Sequence, residues 1–464
     1  MGHRQATDLG KFIALLDKAG DLVRIVRPVS PKYEIAAILD RVDKAGGQAV
    51  LFERVRGYRV PVIGNLLARK RRVALALGVE PDSLLAEYAR RAKRRVKPRV
   101  LARGPVMQTR IDRRPDILKE IPALTHRLKD ASPYFTSAVT IAKDPETGVT
   151  GMGIYRIQVR GPDEVSLNFQ NPPLLPFLHK AEAMGRELEI AIVIGMDPLA
   201  FIASIFPVPP GTDRYEVAGA LRGRPVDLVR CPGVDVLVHA GAEFVLEARV
   251  KPGLRVREGP FGESWGVYQE GRNPVAKITA IMRKSNPTYH ALLPFSGEET
   301  ALLGLSMEAS MLDALRSEHP GVLAVVSDPF NRANVIVQMR KTSDAEPRKV
   351  LERVLSRVGF AKTAVVVDED IDPNDPYAVG FAVSTRFDPG KGAVVLRGLR
   401  STSLDPLAVT RGGAQFASKL GIDATRPLAQ PKAKFGMVRL DRAARKRAIA
   451  IVSALDPRRR RSRG

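Results

Sequence analysis

Two glutamates lie five residues apart on a glycine-rich corner of the chain, in the stretch REGPFGESWG at 257–266. The glycines and the proline between them allow the backbone to turn tightly and to approach a planar ligand closely. Such a turn would bring Glu258 and Glu263 near one point. Two carboxylates held together repel each other, which favours the protonated form of one of them, as a general acid requires. The stretch predicts either an ordinary surface turn or a site of acid–base chemistry.

Other chemistry-bearing motifs are absent from the sequence. No GxxxxGK[ST] is present and no GxGxxG follows a predicted strand, so no conventional phosphate-binding loop is predicted. Cys231 is the only cysteine, which excludes an intrachain disulfide framework and a cysteine-based zinc or iron–sulfur site. The six histidines are scattered and form no HExxH pattern. The two glutamates are therefore the strongest local candidates for catalysis.

The chain is strongly basic, with 74 Lys and Arg against 50 Asp and Glu and a formal net charge of +24. Such a field attracts anions in general, including nucleic acid and phosphorylated or carboxylated substrates. Basic runs occur at 69–72, 90–99 and 458–464. They are not interleaved with aromatic residues and accompany no nucleic-acid-binding motif, so a solvated basic surface is favoured over nucleic-acid binding.

The most apolar stretch, EIAIVIGMDPLAFIASIF at 189–206, is interrupted by Asp197 and Pro198 and is too short for a membrane span. The N-terminal residues contain too short an apolar run for a secretory signal. These features predict a cytoplasmic protein with no membrane span.

Hydrophobic periodicity divides the chain into parts that would position the acidic corner. Residues 8–104 alternate helical and strand patterns, with one basic helix closed by Pro98, and a proline-rich charged segment at 113–130 is typical of a linker. Short alternating strands fill about 132–295, as a barrel or sandwich requires. From about 300 onward helices and strands alternate, which predicts an open α/β sheet.

Several motifs occur in an order that resembles the UbiD family of decarboxylases. They are GMGIYRIQVRG (151–161), PVP and AGALRG (207–209, 218–223), VLEARV…EGPFGE (245–263), DEDIDPNDPYAVGFAVSTRFDP (368–389) and SKLGIDATRP (418–427). The resemblance spans about 140–430, and the order of the motifs is more specific than any one of them.

The resemblance implies an α+β protein in three parts. These are an N-terminal α/β domain at 1–115, a central split β-barrel of the flavin-binding type at 116–305, which would carry the cofactor and the catalytic residues, and a C-terminal α/β domain at 306–464. It also implies prenylated FMN, which the family uses for reversible non-oxidative decarboxylation of α,β-unsaturated or aromatic acids. In the family this flavin adds covalently to the substrate, carbon dioxide leaves, and an acid protonates the remaining carbon.

Carried over position by position, the family's catalytic Glu-Arg-Glu network corresponds to Arg156, Glu258 and Glu263. Glu263 would be the proton donor, and Glu258 would hold Arg156, whose guanidinium offers a bidentate fork to a carboxylate. The implied cofactor-binding residues are Ile154, Tyr155, Arg156, Asn168, Phe169, Gln170, Arg214 and Lys419. Of these, Lys419 would reach the cofactor phosphate.

The family's three metal-binding positions are occupied here by Gly151, Pro172 and Arg214, where the family has Asn, His and Glu. In the family a divalent ion, usually manganese, is held there against the cofactor phosphate, and potassium is also usual. Neighbouring residues that could supply replacement ligands are Asp213, Glu216, Asn168 and Asn171. Alternatively, Arg214 and Lys419 would neutralise the phosphate directly, and this interpretation is favoured over a metal.

The resemblance leaves the substrate open between hydroxybenzoates, other aromatic or cinnamic acids, and anhydromevalonate phosphate of isoprenoid synthesis. The basic composition favours the last, because a phosphorylated acid needs cationic partners. A flavin prenyltransferase would supply the cofactor, and a homodimer or higher homo-oligomer would form through the C-terminal domain. The competing hypothesis is a non-catalytic structural or regulatory subunit, favoured by the missing metal ligands and opposed by the intact Glu-Arg-Glu set.

Overall fold

The computed structural model describes residues 6–170, 172–209, 211–328, 333–438 and 441–455. Within them the α-helices are α1 (Leu9–Lys18), α2 (Glu34–Lys44), α3 (Lys70–Leu77), α4 (Leu84–Ala92), α5 (Ile117–Glu120), α6 (Leu174–Ala183), α7 (Pro198–Ala203), α8 (Arg214–Arg222), α9 (Gly297–Glu318), α10 (Glu346–Arg357), α11 (Pro376–Arg386), α12 (Pro389–Gly392) and α13 (Arg442–Leu455). Short 3-10 helices lie at Pro81–Ser83, Pro105–Met107 and Lys432–Phe435.

The strands of the N-terminal and central parts are β1 (Leu22–Ile25), β2 (Ala49–Phe52), β3 (Val62–Gly64), β4 (Arg99–Leu101), β5 (Thr109–Ile111), β6 (Tyr134–Phe135), β7 (Val139–Lys143), β8 (Thr150–Ile154), β9 (Ile157–Val159), β10 (Glu164–Leu167), β11 (Leu188–Ile194), β12 (Asp227–Arg230), β13 (Leu237–His239), β14 (Phe244–Gly262), β15 (Tyr268–Arg283) and β16 (Tyr289–Ala291). Those of the C-terminal part are β17 (Val322–Ser327), β18 (Asn334–Met339), β19 (Thr363–Asp368), β20 (Ala393–Arg400), β21 (Val409–Arg411) and β22 (Ala414–Ala424).

A nine-stranded sheet forms the centre of the molecule, in the order β6-β9-β10-β15-β14-β11-β7-β8, with β5 paired to β15. Its longest strands, β14 and β15, form an antiparallel hairpin whose register shifts at three points. Such irregularities bend strands and increase their twist, so they curl the sheet.

Both faces of the sheet are buried at β11, which explains the uninterrupted apolar run in this strand. Successive side chains of a strand point to opposite faces. Ile190 and Ile192 accordingly enter one hydrophobic core, while Ala191 and Val193 enter another. The interruption at Asp197 is the N-cap of α7, where its carboxylate accepts hydrogen bonds from the N–H groups of Leu199 and Ala200.

Smaller sheets flank the central one. The order β1-β2-β3-β16 packs near the N-terminal helices, and β13-β12-β4 forms a three-stranded sheet. The C-terminal part contains a mixed sheet ordered β17-β18-β19-β22-β20, with β21 on β22. The predicted mixture of helices and strands is confirmed, whereas the split barrel and the domain bounds stay predictions.

Two local predictions differ from the structure. The basic helix predicted to extend to Pro98 ends at Ala92 instead. The segment predicted as a linker, 113–130, packs into the core through Ile117, Ile121 and Leu124, which have no exposed surface. Its charged residues suggested an exposed connection, but its apolar residues are the ones that face the central sheet. The arginine run at 458–464 lies outside the described residues. None of the described helices is long and apolar enough to cross a membrane.

Candidate active site

The acidic corner lies at the closed end of the β14–β15 hairpin. Glu258 is inside β14, opposite Gly271, and the register shifts between Glu258 and Phe261. The backbone of Gly259 adopts φ +97°, and a Cβ there would lie 2.6 Å from the carbonyl oxygen of Gln269. Only glycine fits such a conformation and such a close approach. The two glutamates are therefore separated by an irregularity of the strand, and Glu263 begins the connecting turn.

The segment 113–130, which was predicted to be a linker, anchors the acidic corner. The backbone N–H of Gly262 donates to Asp130 Oδ1 at 3.0 Å. The N–H of Ala131 donates to the carbonyl of Pro260 at 2.9 Å. Asp130 also accepts hydrogen bonds from the N–H groups of His126 and Arg127. These bonds fix the position of the hairpin end relative to the sheet.

Arg156 joins the two glutamates. It lies between β8 and β9, and its Nε and Nη2 donate to the two carboxylate oxygens of Glu258 at 3.1 and 2.6 Å. Its Nη1 donates to Oε1 of Glu263. Burial would lower the pKa of the guanidinium, but Glu263 and Glu258 outweigh that effect and raise it, so Arg156 remains charged. The predicted network thus joins Arg156 to glutamates that lie 102 and 107 positions later in the chain.

Glu258 is fully buried and accepts several hydrogen bonds. Its side chain has 0% exposure, and its Oε2 also accepts from Asn273 Nδ2 at 2.9 Å. Burial and the Glu258 carboxylate raise the pKa of the nearby Tyr134 hydroxyl, which therefore stays protonated. The Arg156 guanidinium lies 5.3 Å from the ring centroid of Phe261, an additional cation–π contact. Glu258 therefore forms a buried ion pair with Arg156 through both of its carboxylate oxygens.

A cleft of about 370 Å³ opens beside this network. Its sheet side is lined by Ile154, Tyr155, Arg156, Asn168 and Gln170, its α9 side by Glu299, Leu302 and Leu303, and its C-terminal side by Phe360, Thr402, Ser403 and Leu404. Glu263 and Ser264 lie at its edge on the hairpin. The volume is in the range of small-molecule and cofactor sites, which are concave and mostly apolar with a few placed polar groups.

Most predicted cofactor-binding residues lie together at this cleft. The N–H of Asn168 donates to the carbonyl of Arg156 at 3.2 Å, which brings the two predicted segments side by side. The ring of Phe169 packs against Tyr155 at 5.0 Å, so Phe169 supports the wall. Among the described residues the buried Asn168 Oδ1 has no hydrogen-bond partner. That orphaned acceptor suits a flavin, whose ring N–H and ribityl hydroxyls are donors.

Lys419 and Arg214 lie apart from the Glu-Arg-Glu network. The Lys419 ammonium donates to the carbonyls of Leu355, Val358 and Gly359 at 3.0, 2.8 and 3.2 Å, at the end of α10. Arg214 donates to the carbonyls of Phe206 and Met152, both at 2.8 Å. Neither side chain lines the cleft. Their interaction with a cofactor phosphate stays a prediction.

The positions that bind a metal in the family do not fit one here. A Cβ at Gly151 would lie 2.5 Å from Cε2 of Phe177, so no ligating side chain fits there. Pro172 offers no side-chain donor, and the charged Arg214 repels cations. The described residues contain no group of three or more His, Cys, Asp or Glu suited to a metal ion. Of the alternative donors, Asp213 caps α8 through the N–H of Tyr215, and Asn171 lies outside the described residues.

Sequence reasoning missed the second carboxylate of the cleft, Glu299. It lies near the start of α9, whose N-cap is Ser296. In the sequence, Ser296 followed by Glu299 has the spacing of a capping box. That pattern indicates a helix start, but it carries no information about the cleft on which the helix packs.

Comparison with known proteins places most of the chain in one family. Sequence models of 3-octaprenyl-4-hydroxybenzoate carboxy-lyase (UbiD) match three consecutive regions. The N-terminal domain matches residues 13–92, the Rift-related domain 99–297 and the C-terminal domain 300–424.

Individual relatives agree with this result. An anhydromevalonate phosphate decarboxylase of Methanothermobacter thermautotrophicus is 33% identical over 418 residues, covering 89% of this chain and 96% of the relative. The UbiD-class enzyme HmfF of Pelotomaculum thermopropionicum, solved with FMN, has a TM-score of 0.88 and 36% identity, covering 93% of this chain and 97% of HmfF. An evolved dimeric form of HmfF, solved with prFMN, has a TM-score of 0.85 and 34% identity over 95% of this chain and all (100%) of that chain.

These similarities extend over most of the chain, and the Rift-related match at 99–297 spans the positions of Arg156, Glu258 and Glu263. The resemblance predicted from the ordered motifs is confirmed: the chain belongs to the UbiD family of decarboxylases.

Proposed function

We propose that this carboxy-lyase binds prenylated FMN in the cleft and decarboxylates an α,β-unsaturated or aromatic acid reversibly and without net oxidation. The observation that carries the proposal is the Arg156 guanidinium joining Glu258 and Glu263 at the edge of the cleft. In this proposal the cleft belongs to a split barrel at 116–305. The two solved HmfF structures, one with FMN and one with prFMN, support the flavin.

The side chains of the cleft have separate roles in the proposed reaction. When bound, the prenylated flavin supplies the electron sink that retains the electron pair released with carbon dioxide. Arg156 has N–H groups beyond those bonded to the glutamates and can orient the substrate carboxylate. Glu263, protonated, donates its proton to the carbon that carbon dioxide has left. Glu258 keeps Arg156 in place, and the apolar lining of Ile154, Leu302 and Leu303 limits water.

The substrate that we propose is anhydromevalonate phosphate. The relative from Methanothermobacter bears that name, and the net charge of +24 suits a substrate that carries both a carboxylate and a phosphate. A hydroxybenzoate is the alternative substrate. We further propose that cations of the protein, with Arg214 and Lys419 as candidates, neutralise the cofactor phosphate without a divalent metal.

The test uses protein co-expressed with a flavin prenyltransferase. We expect Glu263→Gln to retain flavin absorbance but to lose decarboxylation, and hydrogen–deuterium exchange at the product carbon, by at least about 100-fold. Glu270→Gln is the matched control, because Glu270 is an exposed residue of the same hairpin and pairs with Arg257. Undiminished activity of Glu263→Gln with both candidate acids would contradict the assignment of the proton donor.

A non-catalytic UbiD-like subunit is the second candidate, because the family's metal-ligand positions carry no suitable side chains. Absorbance and metal content of the same preparation separate the two. Flavin retained without stoichiometric manganese supports the enzyme with a metal-free phosphate site. A colourless protein that is inactive after reconstitution supports the subunit.

A further inference from the structure

A second carboxylate reaches the cleft near the proton donor. Glu299 belongs to the first turn of α9, is half-buried and lines the cleft. Its Oε2 accepts a hydrogen bond from the backbone N–H of Phe295 at 2.8 Å, which fixes the orientation of the carboxylate. Nothing in the proposed decarboxylation uses this residue.

Ser264 connects this carboxylate to Glu263. Its hydroxyl lies 2.5 Å from Oε1 of Glu299 and 3.4 Å from Oε2 of Glu263. Its backbone N–H donates to the same Oε2 of Glu263 at 3.1 Å. Ser264 is 8% exposed, so its hydroxyl is largely shielded from bulk water. One hydroxyl therefore bridges the carboxylates of the adjacent Glu263 and of Glu299, which lies 35 residues after Ser264 in the chain.

The two oxygens of Glu263 consequently have different partners. Oε1 faces the Nη1 of Arg156, which remains charged and does not release its proton. Oε2 faces Ser264, which both donates and accepts hydrogen bonds. A proton can therefore reach Glu263 through the protein on the Ser264 side and not on the Arg156 side.

We propose that Ser264 and Glu299 form a relay that returns a proton to Glu263 after each turnover. This inference rests on the proposed function, in which Glu263 loses its proton to the product carbon. The Glu299 O–H bond breaks as its proton passes to the Ser264 oxygen, and the Ser264 O–H proton passes to Oε2 of Glu263. Glu299 ends as a carboxylate, Ser264 is unchanged and Glu263 is again an acid. Water at the exposed side of Glu299 then supplies its next proton.

Separating the first turnover from later ones tests the relay. The flavin-loaded enzyme is mixed rapidly with anhydromevalonate phosphate, and product is measured in the first and in subsequent turnovers. In Glu299→Gln and Ser264→Ala, Glu263 starts protonated, so the first turnover should stay within about 3-fold of wild type. Steady-state turnover should fall by about 10- to 100-fold, because reprotonation of Glu263 becomes limiting. Ser264→Thr keeps the hydroxyl and should restore most of the steady-state rate.

Two control variants lie at the far end of the same helix. Ser317→Ala and Glu318→Gln change exposed residues of α9, and both should leave both phases unchanged. The relay is wrong if Glu299→Gln keeps the wild-type steady-state rate, or if the first and later turnovers fall equally, as a structural role would give. Failure of the proposed function is recognised separately, since Glu263→Gln would then complete its first turnover like wild type.

Discussion

At the scale of single residues, Arg156 binds its two carboxylates differently, and this asymmetry supports the different roles proposed for them. It holds both oxygens of Glu258, whose Oε2 also receives Asn273. It holds only one oxygen of Glu263. The other oxygen of Glu263, Oε2, accepts hydrogen bonds from the backbone N–H and the hydroxyl of Ser264. A hydroxyl both donates and accepts hydrogen bonds, whereas a guanidinium only donates, and this difference supports the proposal that Glu263 is the glutamate that exchanges a proton.

Lys419 is a buried cation of the C-terminal part. The residue is 2% exposed, and its ammonium donates hydrogen bonds to carbonyls at the end of α10. Cations at a helix C-terminus satisfy carbonyls that lack partners within the helix. Burial, together with the charge of Lys362, lowers the pKa of Lys419 to about 8. The same side chain is predicted to contact the cofactor phosphate, so its charge bears on both stability and binding.

The lowered pKa predicts a pH-dependent stability. In the unfolded chain this lysine keeps its proton up to about pH 10.4, whereas in the folded protein it begins to release it near pH 8. The unfolded state binds more protons in this window, so the contribution of Lys419 to the free energy of unfolding rises with pH. We expect the difference between wild type and Lys419→Met to grow by at least about 1 kcal/mol between pH 7.5 and 10.

Urea denaturation at several pH values measures this difference. Lys391→Met serves as the control, because Lys391 is highly exposed in the same part of the molecule. The difference between wild type and Lys391→Met should stay constant with pH. A constant difference for Lys419→Met as well would show that Lys419 titrates normally in the folded protein.

At the scale of secondary-structure elements, the local sequence predicted helices and strands better than it predicted the tertiary contacts between them. The alternation in 245–250 and 275–283 predicted strands that the structure contains as β14 and β15. Glycines between the two glutamates predicted the irregular corner, because positive φ is a local property. Glu299 was not predicted, since its contact with Ser264 depends on how α9 packs on the hairpin. Local patterns carry no information about such distant pairs.

The contact between β8 and α6 likewise could not be predicted from the sequence. At this contact Gly151 leaves room for the side chains that pack against it. A Cβ there would lie 2.5 Å from Cε2 of Phe177 and 2.7 Å from Cγ of Pro173. We expect Gly151→Ala to lower the free energy of unfolding by about 1–3 kcal/mol through overpacking. Chemical denaturation monitored by circular dichroism measures the effect.

Gly161 provides the matched comparison. A Cβ at Gly161 would meet no atom within 4 Å among the described residues, and its φ is not in the left-handed region. Gly161→Ala should therefore change the free energy of unfolding by less than about 0.5 kcal/mol. Equal destabilisation by both substitutions would mean that the Phe177 contact does not restrict position 151, and an asparagine there could then ligate a metal.

At the scale of the whole molecule, the order of β-rich and alternating regions was predictable because periodicity survives averaging over many residues. The role of residues 113–130 was not predictable, because their many prolines and charged residues are typical of an exposed linker, although a few apolar residues among them enter the core. Its Asp130 binds the hairpin end. The segment predicted as a linker between two parts of the chain therefore holds the acidic corner, and cutting the protein there would remove a support of that corner.

The outer strands of the C-terminal sheet expose apolar side chains that predict self-association. Val395 of β20 and Val409 of β21 are each 55% exposed, and Leu407 is 76% exposed. Exposed apolar groups at a sheet edge are typical of an interaction surface. The sequence predicts a homo-oligomer formed through the C-terminal part, so we expect a second copy of this chain to cover these side chains. Light scattering after size-exclusion chromatography should show a homo-oligomer that Val395→Glu with Leu407→Glu converts to monomer. Val26→Glu, at an exposed position in the N-terminal part, should leave the mass unchanged, whereas an unaltered mass in the double variant would place the interface on another face.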